Sequence, residues 1–195
     1  KKYLTERVDF ATFSSHKFHG VRGVGFVYIK SGKKITPLLT GGGQERDYRS
    51  TTENVAGIAA TAKALRLSME KLDIFTSKTG QMKTVIRQAL LDYPDIFVFS
   101  DEEDFAPHIL TFGIKGVRGE VIVHAFEDYD IFISTTSACS SKAGKPAGTL
   151  IAMGVDKDKA QSAVRLSLDL ENDMSQVEQF LTKLKLIYNQ TRKVR

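Results

Sequence analysis

Apolar and polar positions alternate in two short runs near the start of the chain, Val8-Asp9-Phe10-Ala11-Thr12-Phe13 and Val24-Gly25-Phe26-Val27-Tyr28-Ile29. Both are rich in β-branched and aromatic residues, and Gly20, Gly23 and Gly32 fall between and after them, so the pattern predicts two strands with glycine turns. Ser14-Ser15-His16-Lys17 then lies in a turn or at a strand end. After a glycine-rich loop, Gly41 to Thr52, the period changes. Val55, Ile58, Ala59, Ala62, Leu65 and Met69 recur at helical spacing and predict one apolar face on a helix from near Glu53 to about Asp73. At about 20 residues it would be about 30 Å long, enough to bridge two domains.

Met82, Val85, Ile86, Ala89 and Leu90 give a second helical stripe between Gly80 and Pro94. Strands are predicted at Ile96 to Phe99 and Ile109 to Ile114, a helix from about Arg118 to Glu127, and a strand at Ile131 to Ser134. The stretch Thr135 to Gly148 holds only small or polar residues and has no period, so it reads as a mobile loop. A helical turn from Thr149 to Met153 is closed by Gly154, and Ala163-Val164-Arg165-Leu166-Ser167-Leu168 alternates as a strand. Met174, Val177, Phe180, Leu181, Leu184, Ile187 and Tyr188 then form one face of a last helix, with Asp173 placed to cap it. This succession of helices and strands predicts an α/β or α+β fold.

Composition narrows the class. With 195 residues, 42% apolar and 26% charged, the chain can bury an ordinary core in one large or two small domains, which excludes a disordered or fibrous protein. No apolar run reaches the roughly 18 to 20 residues of a membrane span, so no membrane association is expected. The net charge of +5 comes from lysines and arginines spread along the whole chain, without a finger, RNP or helix-turn-helix signature, so direct nucleic-acid binding is not expected either. The single cysteine, Cys139, excludes an internal disulfide framework and fits a reducing, cytoplasmic setting. The sequence starts without methionine and without a signal-peptide pattern, which suggests a fragment or processed chain.

Four places carry candidate chemistry. Lys17, just after a strand and preceded by hydroxyls and His16, could form a Schiff base beside a phosphate; a polar turn with a surface lysine is the plainer reading of the tetrapeptide alone. Cys139 sits among small residues with Lys142 and Lys145 nearby, which favours an exposed thiolate as much as the buried hydrophobe a lone cysteine usually is. Arg165 lies on an otherwise apolar strand, flanked by Val164 and Leu166, and can fork onto a carboxylate, although an edge-strand arginine facing water is the plainer reading in isolation. Gly41-Gly42-Gly43 with Ser50, Thr51 and Thr52 ahead of a helix could hold an anion in principle, with a plain loop as the default reading. His19, His108 and His124 stand alone, read as satisfied structural histidines, and support no metal site.

Taken in order, these places form a pattern. Phe13-Ser14-Ser15-His16-Lys17-Phe18-His19-Gly20, Arg22-Gly23-Val24-Gly25, Gly41-Gly42-Gly43-Gln44-Glu45-Arg46 and Arg49-Ser50-Thr51-Thr52-Glu53-Asn54-Val55 resemble the pyridoxal-phosphate lysine region of the NifS/IscS-type cysteine desulfurases. Ser134 to Ser141 resembles the active-cysteine loop of their first group, and Ala163 to Leu168 their substrate-carboxylate arginine. The resemblance runs over essentially the whole chain.

It implies the C-terminal part of a fold-type-I pyridoxal-phosphate transferase: a remnant of the large cofactor domain over residues 1–53 and the α+β small domain over 54–195. It implies that Lys17 carries the pyridoxal 5'-phosphate, that Ser14 and His16 bind its phosphate, and that Thr52 reaches the phosphate in the other subunit of a homodimer. Cys139 would take sulfur from L-cysteine as a persulfide with release of L-alanine, and Arg165 would grip the substrate carboxylate. The acceptor would be an iron-sulfur scaffold or a tRNA-thiolating sulfurtransferase. Thr51 stands where family members commonly have glycine. Their chains are about twice as long, and their N-terminal half carries the aspartate and histidine that hold the cofactor ring. The fragment is therefore expected to bind pyridoxal phosphate poorly or not at all and to be inactive alone. The alternatives are a selenocysteine lyase or related aminotransferase, and an inactive fragment that binds sulfur acceptors.

Overall fold

The computed structural model describes residues 6–100, 105–135 and 148–193, the last without the side chains of Arg192 and Lys193. The chain divides into two compact units, Lys1–Leu72 and Asp73–Arg195. The first is built on an antiparallel hairpin, β1 (Phe10–Ser14) and β2 (Gly25–Ile29), with register from Phe10↔Ile29 to Ser14↔Gly25. The cross-strand pair Phe13 and Phe26 stacks at 4.7 Å, and Phe18 meets Phe26 edge-on at 6.3 Å. Between the strands, Ser15–Phe18 forms one 3-10 turn closed by His19 in the left-handed region.

Helix α1 (Val55–Glu70) completes this unit, and it corrects the expected inner stripe. Val55 is 71% and Met69 47% exposed, and Ile58, Ala59, Ala62 and Leu65 are exposed with them. What α1 buries is Gly57 and Thr61, on the side that meets the 3-10 turn. The reason is steric: a Cβ on Gly57 would come within 2.7 Å of Val24, so only a glycine lets helix and hairpin approach this closely. Helix α1 lies with the hairpin in the compact unit that runs to Leu72.

In the glycine-rich loop ahead of α1, three consecutive non-glycine residues, Glu45, Arg46 and Asp47, hold φ of 50°, 57° and 67°. The loop keeps this left-handed run through bonds from Asp47 N–H to Gly43 O at 3.1 Å and from Tyr48 N–H to Glu45 O at 3.1 Å.

The second unit is a four-stranded antiparallel sheet in the order β3-β4-β6-β5. Its strands are β3 (Ile96–Val98), β4 (Ile109–Ile114), β5 (Ser134–Thr135) and β6 (Val164–Ser167). Helices α2 (Leu72–Leu91), α3 (Gly119–Glu127) and α6 (Met174–Lys193) supply the other side of the core. Leu110, Phe112 and Ile114 of β4 and Val164 and Leu166 of β6 pack with Met82, Ile86 and Leu90, with Ile122 and Phe126, and with Val177, Phe180, Leu184 and Ile187. Phe126 stacks on Phe180 at 5.0 Å. The opposite sheet side is covered in part by α4 (Gly148–Ala152) and α5 (Lys157–Gln161), through Leu150, Ala160 and Ala163.

Three differences from expectation have local causes. Helix α2 starts well before Gly80, because Asp73 lies in its first turn and Gly80 is tolerated inside it. Strand β5 starts only at Ser134, after Asp130 turns the chain with φ 57°. Helix α5 forms because Asp156 Oδ1 accepts the N–H groups of Asp158 at 3.0 Å and Lys159 at 3.4 Å. No helix among the described residues is long and apolar enough to cross a membrane.

Asp173 caps α6 as expected, accepting from Gln176 N–H at 3.0 Å and from Ser175 Oγ at 2.6 Å. The Ser175 hydroxyl first, and the Gln176 N–H after it, hold its carboxyl below its ordinary value of 3.8. A depressed folded-state value gives stability that is complete above the ordinary one and is lost as pH falls through the folded one. Asp173→Ala therefore lowers the urea midpoint at pH 7, and that deficit shrinks as pH falls below the ordinary value of 3.8 and through the lower folded-state one. Left-handed backbone costs a non-glycine residue roughly 1–2 kcal/mol, less for aspartate, against about 0.5–1 kcal/mol of entropy for glycine. Asp47→Gly is accordingly expected to raise stability by about 0.5 kcal/mol in the same urea titration.

Candidate active site

Ser14, His16 and Lys17 are brought together on one turn. Ser14 ends β1 opposite Gly25, and the 3-10 turn then carries His16 and Lys17; all three side chains are exposed. The backbone beneath them is fixed. Ser15 N–H bonds to Val24 O at 3.0 Å and Gly20 N–H returns to Ser15 O at 3.0 Å. A Cβ on Gly20 would stand 1.8 Å from Ser15 Oγ and one on Gly25 2.3 Å from Phe13 O, so both glycines are required by close approach. A lysine amine, an imidazole and a hydroxyl thus leave one rigid turn towards solvent, free of bonds to other described residues. A phosphorylated aldehyde cofactor needs this set: an amine for the imine, and donors for the phosphate. The residues present fit pyridoxal phosphate.

Thr52 lies exposed in the coil ahead of α1, within the same unit as Lys17. The helix cap is instead Asn54, whose Oδ1 accepts Gly57 N–H at 3.0 Å. Asparagine at that position is a recognised cap signal that the emphasis on Ser50, Thr51 and Thr52 passed over.

Arg165 belongs to the second unit. Its neighbours Val164 and Leu166 point into the core, so its guanidinium goes to the other sheet side. Its register partners are Thr111 on β4 and Ser134 on β5. The Arg165 Nε is buried without a hydrogen-bond partner, and the side chain makes no ion pair among the described residues. An unpaired buried guanidinium nitrogen is costly, which is the arrangement expected of a group kept for an anionic ligand. Cys139, with Lys142 and Lys145, lies outside the described residues.

The histidines divide. His124 Nδ1 meets Glu127 at 2.7 Å, and His19 closes the 3-10 turn. His108 departs from the satisfied histidine expected: its Nδ1 is buried with no hydrogen-bond partner among the described residues, its ring centroid lies 5.1 Å from that of Phe75, and burial pushes its pKa down. Among the described residues no group of three or more His, Cys, Asp and Glu is placed to hold a metal ion.

Comparison with known proteins gives these places a common setting. A NifS/IcsS protein homolog of Lactobacillus delbrueckii subsp. bulgaricus is 48% identical over 192 residues, 98% of this chain and 50% of that protein. Cysteine desulfurase IscS of Clostridium botulinum is 35% identical over 190 residues, 96% of this chain and 48% of that protein. The solved structure of a NifS-like protein superposes with a TM-score of 0.81 at 34% identity, over 94% of this chain and 47% of that one. A NifS-like protein from Rickettsia africae superposes with a TM-score of 0.80 at 28% identity, over 93% and 48%. The chain spans about half the length of the curated relatives it matches. Its fold is the mixed α/β fold of these fold-type-I, pyridoxal-phosphate-dependent proteins. The Aminotransferase class-V profile matches residues 5–180, and the chain belongs to that family.

Proposed function

We propose that this chain is the C-terminal half of a cysteine desulfurase that moves sulfur from L-cysteine to a protein acceptor. The observation that carries this reading is the turn at Ser14 to Phe18, which presents an amine, an imidazole and a hydroxyl on a backbone fixed by close-packed glycines. The Arg165 Nε, buried with no hydrogen-bond partner among the described residues, supports it. The names of the similar proteins, among them cysteine desulfurases, agree with it.

In this reading Lys17 binds pyridoxal phosphate through its amine, and Ser14 and His16 donate to the phosphate. Thr52 donates to the phosphate bound by the other subunit of a homodimer. The cofactor supplies an electron sink that weakens bonds at the amino acid's α and β carbons. Arg165 takes the substrate carboxylate in a bidentate pair and fixes its orientation. The Cys139 thiolate attacks the sulfur of the substrate: an S–S bond forms, the C–S bond breaks, and its electron pair stays on the substrate carbon, which is protonated to give alanine. Cys139 is left as a persulfide for the acceptor, an iron-sulfur scaffold or a tRNA-thiolating sulfurtransferase, in the cytoplasm. The exposed apolar stripe of α1 supports an assembly in which further protein covers Val55, Ile58, Leu65 and Met69.

In the full-length protein, Cys139→Ala abolishes alanine release from L-cysteine, and mass spectrometry of the unsubstituted enzyme after cysteine treatment finds one extra sulfur on Cys139. Retained desulfuration in the variant would remove Cys139 from the reaction and favour a lyase acting on selenocysteine. Arg165→Ala raises KM for cysteine by about tenfold or more, the loss expected for a charged hydrogen bond, and Arg165→Lys recovers only part of it.

A further inference from the structure

The Lys17 turn is held from beneath by α1, through contacts that no side chain of the proposed chemistry makes. Ser15, the one residue of the turn that points inward, is completely buried. Its Oγ shares a hydrogen bond of 3.0 Å with Thr61 Oγ1, itself only 7% exposed, and Thr61 also bonds to Gly57 O at 2.7 Å. Two turns further along the same helix face, Ser68 Oγ donates to Phe18 O at 3.3 Å, the last carbonyl of the 3-10 turn. The residues between these two anchors are His16 and Lys17.

We infer that Thr61 is a positioning residue for Lys17. With Ser68 as a second anchor, it clamps the ends of the turn and fixes where the Lys17 amine and the His16 ring leave the backbone. Its setting supports the assignment. Thr61 and Gly57 are the residues that α1 buries, and burial of a hydroxyl is costly unless it is paired. A Cβ on Gly20 would stand 1.8 Å from Ser15 Oγ, and one on Gly57 would stand 2.7 Å from Val24, so the approach of helix and turn around the pair depends on both glycines. A single 3-10 turn has little stability of its own, so its geometry depends on such outside contacts. An amine that is to meet a cofactor aldehyde gains from a backbone that does not rearrange.

This rests on the role proposed for Lys17, and the test separates the two. Thr61→Val keeps the shape and removes the hydroxyl; Thr61→Ser keeps the hydroxyl. Amide hydrogen exchange on the 195-residue chain reads the clamp directly. Exchange at Ser15 and Gly20 N–H is expected to rise about tenfold in Thr61→Val and to return in Thr61→Ser, with the remaining hairpin amides little changed. In the full-length enzyme, Thr61→Val is expected to lower kcat with KM for cysteine nearly constant, and Thr61→Ser to restore it. If Thr61→Val proves too unstable, the double variant Ser15→Ala/Thr61→Val removes both hydroxyls, leaves no unpaired group, and is expected to show the same local acceleration. Unchanged exchange in these variants, failure of serine to restore it, or faster exchange with kcat intact overturns the proposal. Lys17→Ala serves as the control: it leaves the exchange of the turn unchanged, so an enzyme that stays active without Lys17 refutes the chemistry and leaves the clamp standing.

Discussion

The period-two alternation of β6 couples the core of the second unit to its chemistry. Val164 and Leu166 are buried against α3 and α6, and each side chain buried in this way contributes about 1.5–3 kcal/mol. A slip of one residue in the β4–β6 register would turn both to the other side and drive the Arg165 guanidinium into an apolar core. The register that forms the core is therefore the one that sets Arg165 between Thr111 and Ser134. Folding energy spread over some seventeen buried residues holds in place one side chain that contributes nothing to it.

The first unit is organised on a different principle. It has no buried apolar side chain among its described residues; its buried residues are Ser15, Gly57 and Thr61. Cohesion there comes from strand pairing, stacked Phe13 and Phe26, and backbones brought close by glycine. Such contacts are specific in geometry but bury little area, and small apolar cores give little net stability. They suit a scaffold whose task is to present a few polar groups at fixed angles.

This contrast explains what was legible in the sequence. Strand β4 was readable to its ends, because Leu110, Phe112 and Ile114 alternate against helices of the same unit. The last helix was readable, cap included, except for Met174 at its start, which is 43% exposed, because its apolar face and its cover lie in the same chain. On α1 the same reasoning found the helix and misplaced its inside. Val55, Ile58, Leu65 and Met69 recur with a true helical period, but the cover this implies is not among the described residues. Periodicity reports that a face is made for burial; it does not say what buries it. Asn54 and α5 were missed for a smaller reason: caps act over one turn, below the window in which a period can be counted.

The chemistry was legible in proportion to how far each residue departs from what packing asks of its position. Arg165 is the one charged residue on β6, and the structure finds its Nε buried with no hydrogen-bond partner among the described residues. Lys17 ends a run of polar residues next to a strand, where packing asks for nothing, and it took the spaced motifs around it to distinguish it from any surface lysine. Thr61 gave no signal at all, since one threonine among the alanines of a helix matches an ordinary surface pattern. Its burial follows only from the approach that Gly57 permits, a three-dimensional fact. Residues that act on a ligand leave a mark in sequence because they violate local rules. Residues that hold those residues in place obey local rules, and only the packed structure separates them from their neighbours.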